Sequence, residues 1–395
     1  MLKFTTSGES HGKGLITIIE GLPSGLPVDE EYINEELARR QKGYGRGGRM
    51  QIETDEIEIF AGVRNAKTLG SPISFLIRNR DYENWQDIMN SSACSRINDK
   101  VLTRPRPGHA DLPGAMKYQH RDMRNVLERA SARETASRVA AGAFFKLFLE
   151  QFGISVYSYV RSIGSVKAKA VTVEKDTLKD FCLRVEDSPV RCPDKESETE
   201  MIKLIEQAKR EGESRGGSFE VGALGVYPGL GSHVSWERKL DGQIAAALMS
   251  IPAIKAVEIG DGIANAGEFG SEVHDQIRYR EETGLQRDSN RAGGIEGGIS
   301  NGEVIYARAY MKPIPTLYKP LISVNTTNWE EEKAQVERSD ICAVPAAAVV
   351  GEAMLAFALA RACREQFGGE SMEQVAQACS SYREYLSRVW KWKII

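Results

Sequence analysis

The chain reads as an α+β protein in which antiparallel sheets are layered against central helices. Short β-branched runs cluster near its start and do not alternate with helices in a βαβ rhythm. No G-x-G-x-x-G follows a strand, which argues against a doubly wound dinucleotide fold. Ala136, Val139, Ala140, Ala143, Phe144 and Leu147 recur at helical spacing with small neighbours, the pattern of a closely packed central helix.

In chain order, strands are expected at residues 14–20, 51–63 (Ile52, Thr54, Ile57 and Ile59 alternating) and 73–77. A helix at 29–41 places Ile33 and Leu37 on one face and Arg39 and Arg40 in its last turn, where cations offset the macrodipole. The next helix spans 132–152 and stops at Gly153, with strand-like segments at 154–160 and 170–173. Residues 186–214 are strongly charged, with Met201, Ile202, Leu204, Ile205 and Ala208 on one face, and read as a peripheral helical excursion. A glycine-rich strand-like stretch at 216–231, a helix at 241–250 and a strand at 255–259 follow. Asn301-Gly302 within 299–310 signals a hairpin. A buried helix over 345–367 ends at Gly368-Gly369, and residues 369–395 read as a tail without a usable motif. A Gly/Pro turn leading into a helix, and an Ala-rich helix ending in Q-F-G, each occur twice, which raises duplicated halves within a single large domain spanning 1–395.

The composition is that of an ordinary globular chain: 395 residues, 41% hydrophobic and 27% charged. A net charge of −3 gives no general attraction to nucleic acid. The six cysteines have neither C-x-x-C nor zinc-like spacing, so no metal site is expected and they read as reduced thiols of a cytoplasmic protein. The first residues lack the apolar core of a secretory leader, and 343–363 carries Glu352 and Arg361, so no membrane association is expected.

Chemistry concentrates in a few loops. RPRPGHAD places His109 in a Pro/Gly-bounded loop, and GESHG places His11 between glycines, although the chain has only five histidines. RASARET offers Ser131 and Glu134 at capping-box spacing, flanked by Arg129 and Arg133, a helix start suited to an anion. ARRQKGYGRGGR sets Arg40, Arg46 and Arg49 about a glycine-rich turn; an RNA-binding reading of this single tract conflicts with the net charge. NRAGGIEGGISNG, followed by KPIPT, gives a glycine cluster and a nearby lysine, and RSDICAVPAAA puts Asp340 before the last apolar helix, where it serves either as a cap or as a base.

Together GESHG, ARRQKGYGRGGR, RPGHAD, RASARET, GGIEGGISNG, KPIPT and RSDICAVPAAA, in that order, resemble the chorismate synthase family over residues 4–367. The resemblance implies an anti-1,4-elimination of phosphate from 5-enolpyruvylshikimate 3-phosphate that requires reduced FMN without net redox change. It implies His11 as the general acid for the departing phosphate, His109 as the proton holder near flavin N1, and Asp340 as the carboxylate that helps remove the C6 hydrogen. Ser10, Arg40, Arg46, Arg49, Arg106, Arg133 and Arg338 would bind substrate anions, with Arg40 and Arg46 also placed at an NADPH-related site. Flavin contacts would come from Arg129, Ala130, Ser131, Pro252, Ala253, Gly297, Lys312, Pro313, Ile314, Pro315, Thr316 and Arg338. Ala130 and Pro252 depart from the family's usual Ser and Asn/Gln, which removes side-chain contacts there. A β-α-β sandwich with pseudo-duplicated halves, a homotetramer, NADPH as a possible reductant and a separate flavin reductase are further implications. The competing reading is an NADPH-dependent flavin oxidoreductase acting on a small anionic substrate.

Overall fold

The computed structural model describes residues 1–47, 54–93 and 96–393. Arg49, assigned above to substrate binding, lies outside them. A four-stranded antiparallel sheet comes from β1 (Lys3–Ser7), β2 (Gly14–Glu20), β3 (Ile57–Ala61) and β4 (Ile73–Arg78), in the order β1-β2-β4-β3. In β2 the period of two is clean: Leu15, Thr17 and Ile19 face the core, and Ile16 and Ile18 face outward. A five-stranded antiparallel sheet comes from β5 (Ser155–Ile163), β6 (Val166–Lys167), β7 (Gly217–Leu224), β8 (Ile254–Ile259) and β9 (Ile305–Met311), in the order β8-β9-β7-β5-β6.

Helices fill the space between the sheets. They are α1 (Glu30–Gln41), α4 (Thr135–Glu150), α7 (Leu240–Met249) and α8 (Val344–Phe367), preceded in the site region by α2 (Asp111–Tyr118) and α3 (Arg124–Ala130). α4 and α8 pack directly on each other, and α4 touches both sheets. A Cβ added at Gly142 would come within 2.3 Å of Ala353 Cβ, and one at Gly351 within 2.5 Å of the Phe219 ring. Glycine is therefore needed where α8 meets α4 and β7. Each half supplies one sheet followed by one long apolar helix, in keeping with the duplicated pattern. α8 is apolar and long enough to cross a membrane by composition alone, yet it is the buried core helix.

Several expectations are corrected. The two-residue hairpin turn is Gly297-Gly298, joining Ile295–Glu296 to Ile299–Ser300, with φ 60° and 89°. Asn301-Gly302 instead leads into β9, which pairs with β7 and β8. Residues 170–173 form no strand, because β5 pairs with β7 on one side and only the short β6 on the other. The charged excursion is α5 (Leu178–Glu186) and α6 (Lys195–Glu211), capped by Asp194 and Gly212. The supposed tail is α9 (Met372–Trp390), started by a Ser371/Gln374 capping box and packed on α8.

Candidate active site

The loop between β1 and β2 carries Ser10 and His11. Gly8 has φ 114°, and a Cβ there would strike Gly14 O at 2.3 Å. Asn79 pins this loop through Nδ2 donated to Glu9 O (3.0 Å) and Gly12 O (2.8 Å). Ser10 donates its N–H to Glu128 O at 2.9 Å and its hydroxyl to Ser131 Oγ at 3.1 Å. The His11 N–H meets Glu128 Oε2 at 2.8 Å, and His11 Nδ1 lies 2.9 and 3.0 Å from the two carboxylate oxygens.

An arginine wall stands beside this loop. Asp55, fully buried, accepts from Arg133 Nη1 at 2.5 Å and from Arg40 Nη1 at 3.4 Å. Arg133 also donates to Asn79 Oδ1 at 2.9 Å, and Arg40 to Thr135 Oγ1 at 2.9 Å and Ala132 O at 3.0 Å. Burial, with Arg46 and Arg133 close by, pushes the Arg40 guanidinium down to about 10 despite Asp55 and Asp340. Two buried arginines thus share Asp55 and form a cationic surface of the kind that can grip an anionic group. Asp340 accepts from Gly47 N at 2.7 Å and lies 3.4 Å from Arg46 Nε. It does not cap α8, whose N-cap is Ala343. Arg338 is half-exposed, 3.5 Å from Asp81.

Ser131 caps only a single 3-10 turn, Ala132–Glu134, accepting from Arg133 N at 3.3 Å. Glu134 turns to Thr6 and Arg138, so the expected capping box is absent. Arg129 is exposed and donates to Thr6 O and Oγ1.

The second imidazole has the same carboxylate logic. His109 Nδ1 lies 2.6 Å from Asp111 Oδ1, and Arg106 donates to Asp111 Oδ2 at 2.8 Å and to Thr316 Oγ1 at 2.8 Å. Burial favours the neutral form of Asp111, but the hydrogen bonds from His109 and Arg106 outweigh it and hold the carboxyl below its ordinary range.

These parts are tied together. Lys312 Nζ donates to Gly108 O at 2.5 Å, and Lys312 N donates to Ala253 O at 3.0 Å. Arg138, in the first turn of α4, donates to Ser250 Oγ at 2.7 Å. The Pro252-Ala253 turn, the Lys312–Thr316 stretch, the His109 loop and the 129–135 segment are thus neighbours. Arg124 of α3 joins Glu128 (3.1 Å) to Glu337 (3.3 Å), linking the His11 side to the segment carrying Arg338 and Asp340. Gly297 is not brought in: Leu240 N bonds Gly298 O at the N-terminal end of α7, whereas Pro252 follows its C-terminal end, about 15 Å away along ten residues of helix. Among the described residues no cluster of three or more His, Cys, Asp or Glu could hold a metal.

Asp55, Asn79, Trp85, Asp111, Arg124 and Glu128 were not singled out from sequence. Asp111 stands two residues after His109, and Arg124/Glu128 have i,i+4 spacing, so both signals were readable. Asp55 and Trp85 had no local signal.

Carboxylate-paired imidazoles beside buried arginines, carried on a sandwich of antiparallel sheets and helices, are an arrangement that can support acid–base chemistry on an anionic ligand. The family profile described as chorismate synthase matches residues 2–363. A chorismate synthase of Syntrophomonas wolfei is 64% identical over 395 residues, covering 100% of both chains. One of Aquifex aeolicus is 55% identical over 386 residues, covering 96% of this chain and 97% of its own. A crystal structure of chorismate synthase matches with TM-score 0.80 at 46% identity, covering 98% of each chain. The chain belongs to the chorismate synthase family, carbon–oxygen lyases of the shikimate pathway that serves aromatic amino acid biosynthesis.

Proposed function

We propose that this chain removes phosphate from 5-enolpyruvylshikimate 3-phosphate by anti-1,4-elimination, giving chorismate, with reduced FMN bound beside the substrate. The observation that carries the reading is the buried Arg40–Arg133 pair, gathered on Asp55 and tied through Asn79 to the loop that holds His11. A substrate with a phosphate and two carboxylates suits such an arginine-lined surface. Ser10, Arg40, Arg46, Arg49, Arg106, Arg133 and Arg338 are the proposed substrate ligands.

The residues fit a flavin in most of the expected places. Arg129, Ala130, Ser131, the Pro252-Ala253 turn, Lys312–Thr316 and Arg338 are the proposed contacts, with the Lys312 ammonium, seated on Gly108 O, as a cationic donor for a phosphate. Gly297 has no neighbour within 4 Å of a Cβ and stands apart. When bound, reduced flavin supplies transient electron donation that weakens the C–O bond to phosphate.

His11, with Nδ1 committed to Glu128, exchanges its proton with the departing phosphate through Nε2. His109, set between Asp111 Oδ1 at 2.6 Å and Arg106 Nη2 at 3.0 Å from its Nδ1, holds a proton for the N1 side of the flavin. Asp340, steadied by Gly47 N and Arg46, is the carboxylate that helps take the C6 hydrogen. Arg40, buried and held by Asp55, Thr135 and Ala132, is proposed as a neighbour of substrate, and a separate reductase as the source of reduced flavin. Outward Ile16, Ile18 and Phe60 give an apolar surface suited to self-association, and a homotetramer in the cytoplasm is the proposed assembly.

The test supplies anaerobically reduced FMN and the phosphorylated substrate. One phosphate per chorismate without stoichiometric consumption of reductant is expected. No phosphate release contradicts the proposal, and NADPH consumed one-for-one with product would favour an oxidoreductase.

A further inference from the structure

His11 is held on more sides than a general acid needs merely to be present. Its ring stacks on Trp85, centroids 4.0 Å apart and planes at 25°. Trp85 is buried, and its indole also meets the Arg124 guanidinium at 5.0 Å and the Lys100 ammonium at 4.7 Å. Arg124 in turn bonds Glu128, whose oxygens take both the backbone N–H and Nδ1 of His11. Among the described residues, charged groups near this stack include Glu128 and Arg124 from α3, Lys100 across the indole and Glu337 behind Arg124, and Glu9 stands two residues before His11 on the same loop.

We infer that Glu128 is the positioning residue of His11, holding Nδ1 protonated and Nε2 toward the departing phosphate, while the Trp85 ring fixes the imidazole plane; this rests on the general-acid role proposed for His11. A carboxylate on one ring nitrogen commits the other to proton exchange and stabilises the imidazolium. The π face of an indole stabilises a cation lying over it as well. Arg124 divides the Glu128 charge, so the carboxylate steadies the imidazolium without taking its proton. Burial raises the Glu128 carboxyl, but its hydrogen bonds and charge interaction with His11, helped by Arg124, keep it below its ordinary range.

The test uses the full chain without ligand and then the loaded enzyme. A stacked indole is quenched more by imidazolium than by neutral imidazole, so Trp85 emission, isolated by difference against Trp85→Phe, reads the protonation of His11. Glu128→Gln is expected to move the midpoint of that emission titration down by about one pH unit or more, with the alkaline limb of kcat moving in parallel. Turnover above that limb then falls roughly tenfold per unit, with FMN affinity unchanged. Glu128→Asp, which keeps the charge, should return both midpoints toward wild type. If Glu128→Gln lowers turnover equally at every pH and leaves the emission midpoint in place, Glu128 is only structural and the inference fails. If His11→Ala turns over like wild type while Glu128→Gln still moves the emission midpoint, the general-acid role fails instead, and with it the catalytic meaning of the contact.

Discussion

Arg39 and Arg40 are consecutive residues on α1, and they enter opposite kinds of ionic surroundings. Arg39 faces the helix layer, where it bonds Glu36 at 2.6 Å, Glu186 at 2.7 Å and both oxygens of Glu352 at 2.9 Å. Glu352 also accepts from Lys146, Ser158 and Arg191. Burial acts against the charge on Arg39, yet Glu352 and Glu36 raise its guanidinium well above its ordinary value. Glu352, buried too, is held well below its own by Arg39, Lys146 and Arg191. These groups line a cavity of about 200 Å³, but they neutralise one another within it. Arg40 points the other way, shares Asp55 with Arg133, and is pushed down by burial and by its arginine neighbours. The first cluster is closed on itself within the helix layer, whereas the second lies beside the loop of His11, where the substrate is proposed to bind.

That contrast sets out what substitutions should do, beginning with the largest effect. His11→Ala is expected to lower turnover by about 10²–10⁴-fold while hardly changing FMN affinity; steady-state rates and flavin titration check it, and equal losses in both would count against the general-acid role. Glu352→Ala strands the cations of the closed cluster and should cost about 3–5 kcal/mol in denaturant unfolding, with substrate affinity preserved in the folded fraction. Gly142→Val forces a side chain into Ala353 and should cost about 1–3 kcal/mol, again without touching affinity.

Acid sharpens the same contrast. Because the folded pKa of Glu352 lies below its ordinary 4.5, its stabilisation is complete above that value and is lost as pH falls below it. Unfolding free energy should therefore drop more steeply below about pH 4.5 in wild type than in Glu352→Gln. The smallest change is Ser131→Ala, about 0.5–1 kcal/mol by thermal unfolding, since Ser131 caps one short turn.

The sequence was most legible where chemistry needs a local pattern. His11 and His109 sit in Gly- or Pro-marked loops, Asp340 is marked only as a cap or base ahead of the last apolar helix, and the apolar stripes of α4 and α8 announced the middle layer. Arg39 and Arg40 looked alike, both cations in a last helical turn, because what separates them is Glu352, more than three hundred residues away, against Asp55. Asn301-Gly302 and Gly297-Gly298 were both plausible turns; pairing of β9 with β7 and β8 decided between them. The start of α9 was readable as a Ser-x-x-Gln capping box but lay beyond the motif-bearing region. Glu128 was overlooked because i,i+4 spacing with Arg124 also describes any surface ion pair.

The most direct test of this division is calorimetric titration of substrate into wild type, Arg40→Met and Glu352→Gln, with Tm measured on the same samples. Arg40→Met should weaken binding by about tenfold or more through loss of a hydrogen-bonding charge, with a smaller drop in Tm than Glu352→Gln because Arg133 still pairs with Asp55, whereas Glu352→Gln should lower Tm most and leave affinity alone. The reverse pattern, with Arg40→Met unfolding the chain and Glu352→Gln weakening substrate, would contradict it.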